Sequence, residues 1–382
     1  MITHLTIALL WFGATTIWFY ILWDRFGALK PPKPPPNQLA DHPHVTVIIP
    51  ARNEASNIEA CLQGLIRQEY PRQRLDTIVV NDHSDDETAE IASHLARDHA
   101  ALQLIHTPPL PVGWRGKQHA CWAGAQAAEG DWLCFIDADT RHSPQLLSTV
   151  IADAKSNQVD LLSLHPEQEM LSFWERLLMP VPFMTLMLLL DARRINDRSS
   201  QAAMANGQFI LIRKEVYFAV GGHRRIRSAL LEDVELGKLV KGGGWNIALR
   251  SGAGLIRTRM YRDLPTLWNA LARNGSELFG PGLTAFAVLN AFFAGIFPLT
   301  FPIWLALNLH NNASPLSIAA LTIAVIATLS WYAAHMKAFR ELNVPLRYLC
   351  LLPISDVVIG FVNLDGLIQR LTGRRTWKGR TL

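Results

Sequence analysis

The sequence predicts an α/β protein, a mostly parallel sheet with helices on both faces, joined to transmembrane helices. Short apolar runs alternate with helix-period segments from about 45 to 165, and polar motifs follow those runs at their carboxyl ends. Stretches apolar and long enough to cross a bilayer lie near both ends of the chain.

Residues 5–23 contain no charged side chain and just reach the length of a bilayer core, with Arg25, Lys30 and Lys33 immediately after them. No basic segment precedes this stretch and no small-residue cleavage site follows it, so it reads as a retained anchor over 1–24. The positive flank places the following domain on the cytoplasmic side of an inner membrane. Residues 25–44 include Pro31-Pro32-Lys33-Pro34-Pro35-Pro36, a stiff extended spacer.

Within the domain expected over 45–280, the runs 45–50, 77–81, 102–106 and 132–136 read as buried strands. Residues 56–68, 86–98, 117–128 and 144–154 read as the intervening helices. A sheet of this kind binds ligands beyond the carboxyl ends of its strands. Residues 171–190 are apolar but broken by Glu175, Arg176, Pro180 and Pro182, which fits a segment lying in the membrane interface. A core helix of the soluble domain is the alternative. A C-terminal membrane domain over 281–370 contains two spans, about 283–309 and 316–334. Its third apolar stretch, 348–369, carries Asp356, Asn363 and Asp365 between two basic flanks. One crossing cannot leave both flanks in the cytoplasm, which favours a re-entrant or interfacial element over a span. A basic tail follows over 371–382.

Of 382 residues, 49% are aliphatic, aromatic or Cys and 18% are charged. The charged share is below the roughly one quarter usual in soluble domains, and the deficit is confined to the apolar stretches. The net charge of +4 comes without a dense basic stripe, which argues against a nucleic-acid partner. Cys61, Cys121, Cys134 and Cys350 are scattered, as buried reduced thiols rather than a disulfide framework or zinc site.

The strongest chemical signal is Phe135-Ile136-Asp137-Ala138-Asp139, an apolar strand ending in two carboxylates one residue apart. Hard oxygen ligands beside a gap left for phosphate suit a divalent cation. One carboxylate could take the metal and the other a ligand hydroxyl, while helix capping is the ordinary role of such acids. Pro50-Ala51-Arg52-Asn53-Glu54 follows the first strand and Asn81-Asp82-His83-Ser84-Asp85-Asp86 the second. Asp82 could accept from a base N–H, whereas Asp85 and Asp86 read as helix starts. Gly113-Trp114-Arg115-Gly116-Lys117 opens a helix, where Lys117 would face an anion already favoured by the helix terminus. In Leu231-Glu232-Asp233-Val234-Glu235-Leu236, Asp233 is the choice for a general base with Glu232 beside it, against a plain helix-opening role.

Taken in order, Pro50–Glu54, Asn81–Asp86, Gly116-Lys117, Asp137–Asp139 and Glu232-Asp233 resemble family 2 glycosyltransferases of the GT-A fold, over about 45–260. The resemblance implies that Pro50, Arg52, Glu54 and Asp82 hold the base and ribose of a nucleotide-sugar donor, most simply a UDP-sugar. Asp137 belongs with these donor-binding residues, and Lys117 would lie near the diphosphate. Asp139 would bind Mg2+ or Mn2+, and Asp233 would take the acceptor's proton in an inverting transfer. Asn206-Gly207-Gln208-Phe209 with Val220-Gly221-Gly222-His223 resembles the acceptor side of lipid-modifying members, and Gly207 is the residue singled out there. The anchor, the C-terminal cluster and Trp377-Lys378-Gly379-Arg380 are similar to the hopene-associated glycosyltransferases, which implies a membrane lipid acceptor. No Gln-x-x-Arg-Trp motif follows Asp233, and Trp377 and Arg380 could fill its role toward the diphosphate or acceptor. The alternatives are a nucleotide-sugar-binding membrane scaffold without turnover, or a glycosyltransferase acting on a phosphopolyprenol, carotenoid or ceramide-like lipid.

Overall fold

The computed structural model describes residues 2–33, 41–189, 191–309, 313–373, 376–377 and 380–381. The chain falls into two compact units. One comprises Leu29–Glu169 and Asp191–Met260, the other Met1–Ala28, Met170–Leu190 and Tyr261–Leu382.

The described residues of the first unit form ten strands: β1 Val45–Ala51, β2 Leu75–Asn81, β3 Leu102–His106, β4 Trp132–Ile136, β5 Thr140–His142, β6 Leu161–His165, β7 Glu167–Gln168, β8 Phe209–Arg213, β9 Ile247–Ser251 and β10 Ile256–Thr258. Seven form the main sheet in the order β3-β2-β1-β4-β8-β6-β9. Every neighbouring pair is parallel except the two made by β8. The strand order reverses at β1 and β4, so the crevice beyond their carboxyl ends is where such a sheet binds ligands. β5, β10 and β7 form a small second sheet just past the end of β4.

The central strands are near-continuous apolar runs because both faces are covered. Val47, Ile48, Ile49, Leu133, Cys134 and Ile136 are fully buried. Val47, Ile49, Cys134 and Ile136 share a core with Leu62 of helix Ile58–Ile66 and Leu147 and Val150 of helix Leu146–Ser156. On the opposite face helix Gly116–Ala127 packs so closely that a Cβ on Gly124 would meet Ile48 and Val80. The four strands and four helices expected between 45 and 156 stand within two residues of their places, and the parallel sheet is as predicted.

The second unit is helical. Helices Ile2–Arg25, Gly280–Leu309, Pro315–Glu341 and the segment Leu346–Thr372 are long and apolar enough to cross a membrane. Small buried residues, Ala8, Ala320 and Ala324, let helices approach, while Trp11 meets Phe293 and Phe297 edge-on at 5.9 and 5.2 Å. Phe293, Phe297 and Phe301 stack along one helix face at four-residue spacing. Leu10, Leu289, Leu307 and Leu329 point outward and exposed, so these helices are apolar on the face away from their neighbours as well. Helix Leu352–Thr372 is unbroken; its Asp356 is buried, and its Asp365 accepts from the Trp268 indole N–H at 2.8 Å. Within this unit Ser355 donates to the carbonyl of Leu177, on the short helix Phe173–Leu178 that Ser172 opens with a capping box. Cys61, Cys121 and Cys134 are buried free thiols as expected, but Cys350 is exposed.

Candidate active site

The acids of β4 and of helix Glu232–Gly242, far apart in sequence, converge on Lys117. Its ammonium lies 2.8 Å from a carboxylate oxygen of Asp137 and 2.8 Å from one of Glu232. Lys117 is placed there by the first turn of helix Gly116–Ala127, and Asp137 by its position directly after β4. Asp233 accepts from the backbone N–H of Gly207 at 2.8 Å through one oxygen and from that of Val234 at 2.8 Å through the other. The N-cap of that helix is Leu231, so neither acid serves as a cap. Pro50, Lys117, Asp137, Gly207, His223, Glu232 and Asp233 line one small cleft. Gly207 is tied to it sterically: a Cβ there would stand 3.0 Å from the Lys117 ammonium and 3.3 Å from the Asp233 carboxylate.

The electrostatics follow from one cation among several acids. Lys117, Asp137 and Glu232 are only about a quarter exposed or less. Burial disfavours the Lys117 charge, but Asp137 and Glu232 outweigh it and hold the ammonium well above its ordinary range. Burial pushes Glu232 up, and Lys117 more than reverses this, so Glu232 stays ionised. Asp137 is raised, by burial first, because the ammonium it shares only partly compensates. Asp233 is pushed up to about 6 by burial and by the neighbouring Glu232 carboxylate. A carboxylate in that range both accepts and releases a proton near neutrality.

The residues expected on the nucleotide side follow β1 and β2. Asp82 is buried, with Thr107 donating its hydroxyl at 3.4 Å, and the Asp82 amide continues the sheet onto Ala51. Arg52 donates to the carbonyls of Asp82 and His83 at 2.8 and 3.0 Å, so the guanidinium braces the β2 loop. Glu54 accepts from the Asn57 side chain, while Asp86 accepts from Thr88 and from the Ala55 amide, as a helix-opening residue does. Two residues that motif reading passes over, Asn53 and His83, hold positive φ values of 52° and 53° at the tips of these loops. Such strain in non-glycine residues gathers at functional sites. Asp139 lies past the end of β4, its carbonyl accepting from Thr258 at 3.3 Å. Among the described residues no cluster of three or more His, Cys, Asp or Glu could cage a metal alone. The side chains of Trp377 and Arg380, and residues 378–379 between them, lie outside the described residues.

A mostly parallel sheet carrying these acids at its switch point has the architecture of the GT-A fold. The family model for glycosyl transferase family 2 matches residues 46–220. The 4,4'-diaponeurosporenoate glycosyltransferase of Staphylococcus aureus (strain USA300) is 32% identical over 230 residues, 58% of this chain and 58% of that protein. Its counterpart from strain MRSA252 is 31% identical over 267 residues, 66% of this chain and 67% of that one. The chain belongs to glycosyl transferase family 2. A mannosyltransferase from Pyrobaculum calidifontis, solved in complex with GDP-Man and Mn2+, shares the fold at a TM-score of 0.53 and 18% identity, over 96% of this chain and 99% of that one.

Proposed function

We propose that this protein transfers a sugar from a nucleotide-sugar to a membrane lipid, with inversion at the anomeric carbon. The observation that carries the reading is the convergence of Asp137, Lys117, Glu232 and the Gly207-anchored Asp233 in one cleft at the switch point of the sheet. The acceptor hydroxyl oxygen attacks C1 of the sugar, its proton passes to Asp233, and the C1–oxygen bond to the diphosphate breaks with its electron pair leaving on the nucleoside diphosphate. The two amide N–H groups that grip Asp233 fix its carboxylate for that transfer.

Asp82 and the Arg52-braced loop would hold base and ribose, with Pro50 and Glu54 beside them and Asp137 toward the ribose or sugar. A cation held by one or two carboxylates and completed by donor phosphates needs no all-protein cage. Asp139 would hold Mg2+ or Mn2+, which when bound neutralises charge on the departing diphosphate. The fold relative from P. calidifontis, in complex with GDP-Man and Mn2+, supports this choice of cofactor and donor class. A UDP-sugar is the first donor to try.

The four apolar helices and the lipid named for the S. aureus relatives support a membrane acceptor. Resemblance favours a hopanoid-like one, approached from the cytoplasmic face of the inner membrane. The test uses full-length protein in detergent with labelled UDP- and GDP-sugars, Mg2+ or Mn2+, and fractionated membrane lipids. Label should move into one lipid class, and an Asp233→Asn protein should leave it in the donor. No transfer from any donor would refute the reading.

A further inference from the structure

Tyr217 and His223 form a buried polar pair, of which His223 lines the cleft. Tyr217 is fully buried, its ring 6.1 Å from that of Trp122 and 5.3 Å from that of Phe135. His223, 2% exposed, meets Phe135 edge-on at 4.9 Å. The Tyr217 hydroxyl oxygen accepts from the His223 backbone N–H at 3.1 Å and lies 2.9 Å from Nδ1 of the same residue.

These contacts assign the imidazole proton. The tyrosine hydroxyl has a hydrogen of its own to place, and among the described residues Nδ1 of His223 is the acceptor within reach. Were Nδ1 to carry hydrogen, the hydroxyl would receive two donors and leave its own hydrogen unpaired in a buried site, which is costly. Tyr217 therefore donates to Nδ1, and the ring hydrogen sits on Nε2. The ring stays neutral: burial pushes its pKa down to about 4, with Glu232 pulling up and Lys117 pushing down. Nε2–H has no protein acceptor among the described residues, and His223 lines the cleft together with Lys117, Asp137, Glu232 and Asp233.

We propose that Nε2–H of His223 donates a hydrogen bond to a hydroxyl oxygen of the transferred sugar, and that Tyr217 is a positioning residue that fixes the donor tautomer. This rests on the transferase reading above. The cleft chemistry selects a sugar hydroxyl. Its cation is already shared by two carboxylates, leaving acceptors in excess and one neutral donor. A hydroxyl satisfies both, giving its hydrogen to a carboxylate and receiving one from the imidazole.

The test compares full-length wild type, His223→Phe, His223→Gln and Tyr217→Phe with the nucleotide-sugar the wild type uses and its monodeoxy analogues. His223→Phe should lose roughly three- to tenfold in kcat/KM on the parent sugar, the worth of one neutral hydrogen bond. It should lose nothing further on the one analogue lacking the contacted hydroxyl, and His223→Gln, which returns an amide donor, should recover most of the loss. In 15N-histidine NMR of the detergent-solubilised protein, the signal absent from His223→Gln should report the Nε2–H tautomer in wild type between pH 6 and 8, and a mixture in Tyr217→Phe. An Nδ1–H tautomer in wild type would overturn the proposal, as would unchanged discrimination among deoxy sugars in His223→Phe. A wild type inactive with every donor would overturn the transferase reading and this assignment with it, a failure set apart by a tautomer signal that is still as expected.

Discussion

At the scale of single residues, Lys117 and Asp233 are the groups on which the proposed chemistry rests. Asp233, raised to about 6 by burial and Glu232, is ionised above that pH and protonated below it. A base must be ionised to work, so kcat/KM should be level above pH 7 and fall about tenfold per unit below 6. A profile level down to pH 4.5 would remove Asp233 from the role. The same shift bears on stability with a definite sign. A carboxyl whose folded-state pKa exceeds its unfolded one destabilises the fold when ionised, so this contribution improves as pH falls from about 6 to about 4. Replacing Lys117 with Met leaves Asp137 and Glu232 facing each other without their shared cation. Losing hydrogen bonds to charged groups of this kind costs about 1.5–3 kcal/mol each, read as a lower melting temperature together with weakened donor binding. A Lys117→Met protein that melts and binds donor like wild type would show the triad to be ornamental.

At the scale of elements, tight packing of short segments sets the geometry. Gly222 has φ +47°, and a Cβ there would stand 2.5–2.9 Å from the Tyr217 ring. Gly222→Ala should cost about 1–3 kcal/mol from overpacking plus backbone strain, seen as a shifted denaturation midpoint, and no shift would count against the packing described. The early elements were legible because each has an unambiguous period: five- to seven-residue apolar strands, then helices, with acids after the strands. β6, β8 and β9 were not, since Phe209-Ile210-Leu211-Ile212-Arg213 is an apolar run too short for periodicity to distinguish strand from buried helix. The pairing of Tyr217 with His223, six residues on, was equally hidden. Its sequence shows two glycines and a histidine, and only the fold shows what the glycines admit.

Across the whole molecule, the apolar stretches and the alternation of strands and helices were readable in the sequence, while the order of strands in the sheet was not. Residues 170–190 group with the apolar helices rather than with the sheet, a grouping that broken hydropathy leaves open. The basic flanks on both sides made the last stretch read as re-entrant or interfacial; it forms one helix, in which Asp356 is buried and Asp365 accepts hydrogen bonds from Trp268 and Gln369. With four helices of this length and outward-facing leucines, the protein should remain in the membrane pellet through alkaline carbonate and be released by detergent. Release by carbonate alone would mean the helices do not cross.

β8 runs against its neighbours, with Phe209 opposite Ile136 and Arg213 opposite Trp132. At the edge where β1 and β4 leave the sheet, β8 enters it, so the chain arrives there just as Gly207 presents its amide hydrogen to Asp233. Ladder and grip are therefore separable. One extra residue between Gly207 and Phe209 would leave every strand pair in register but carry that amide about 3.3 Å along the chain, out of reach of the acid. Such a protein should keep its sheet and lose transfer, at a cost in stability limited to the hydrogen bond taken from Asp233.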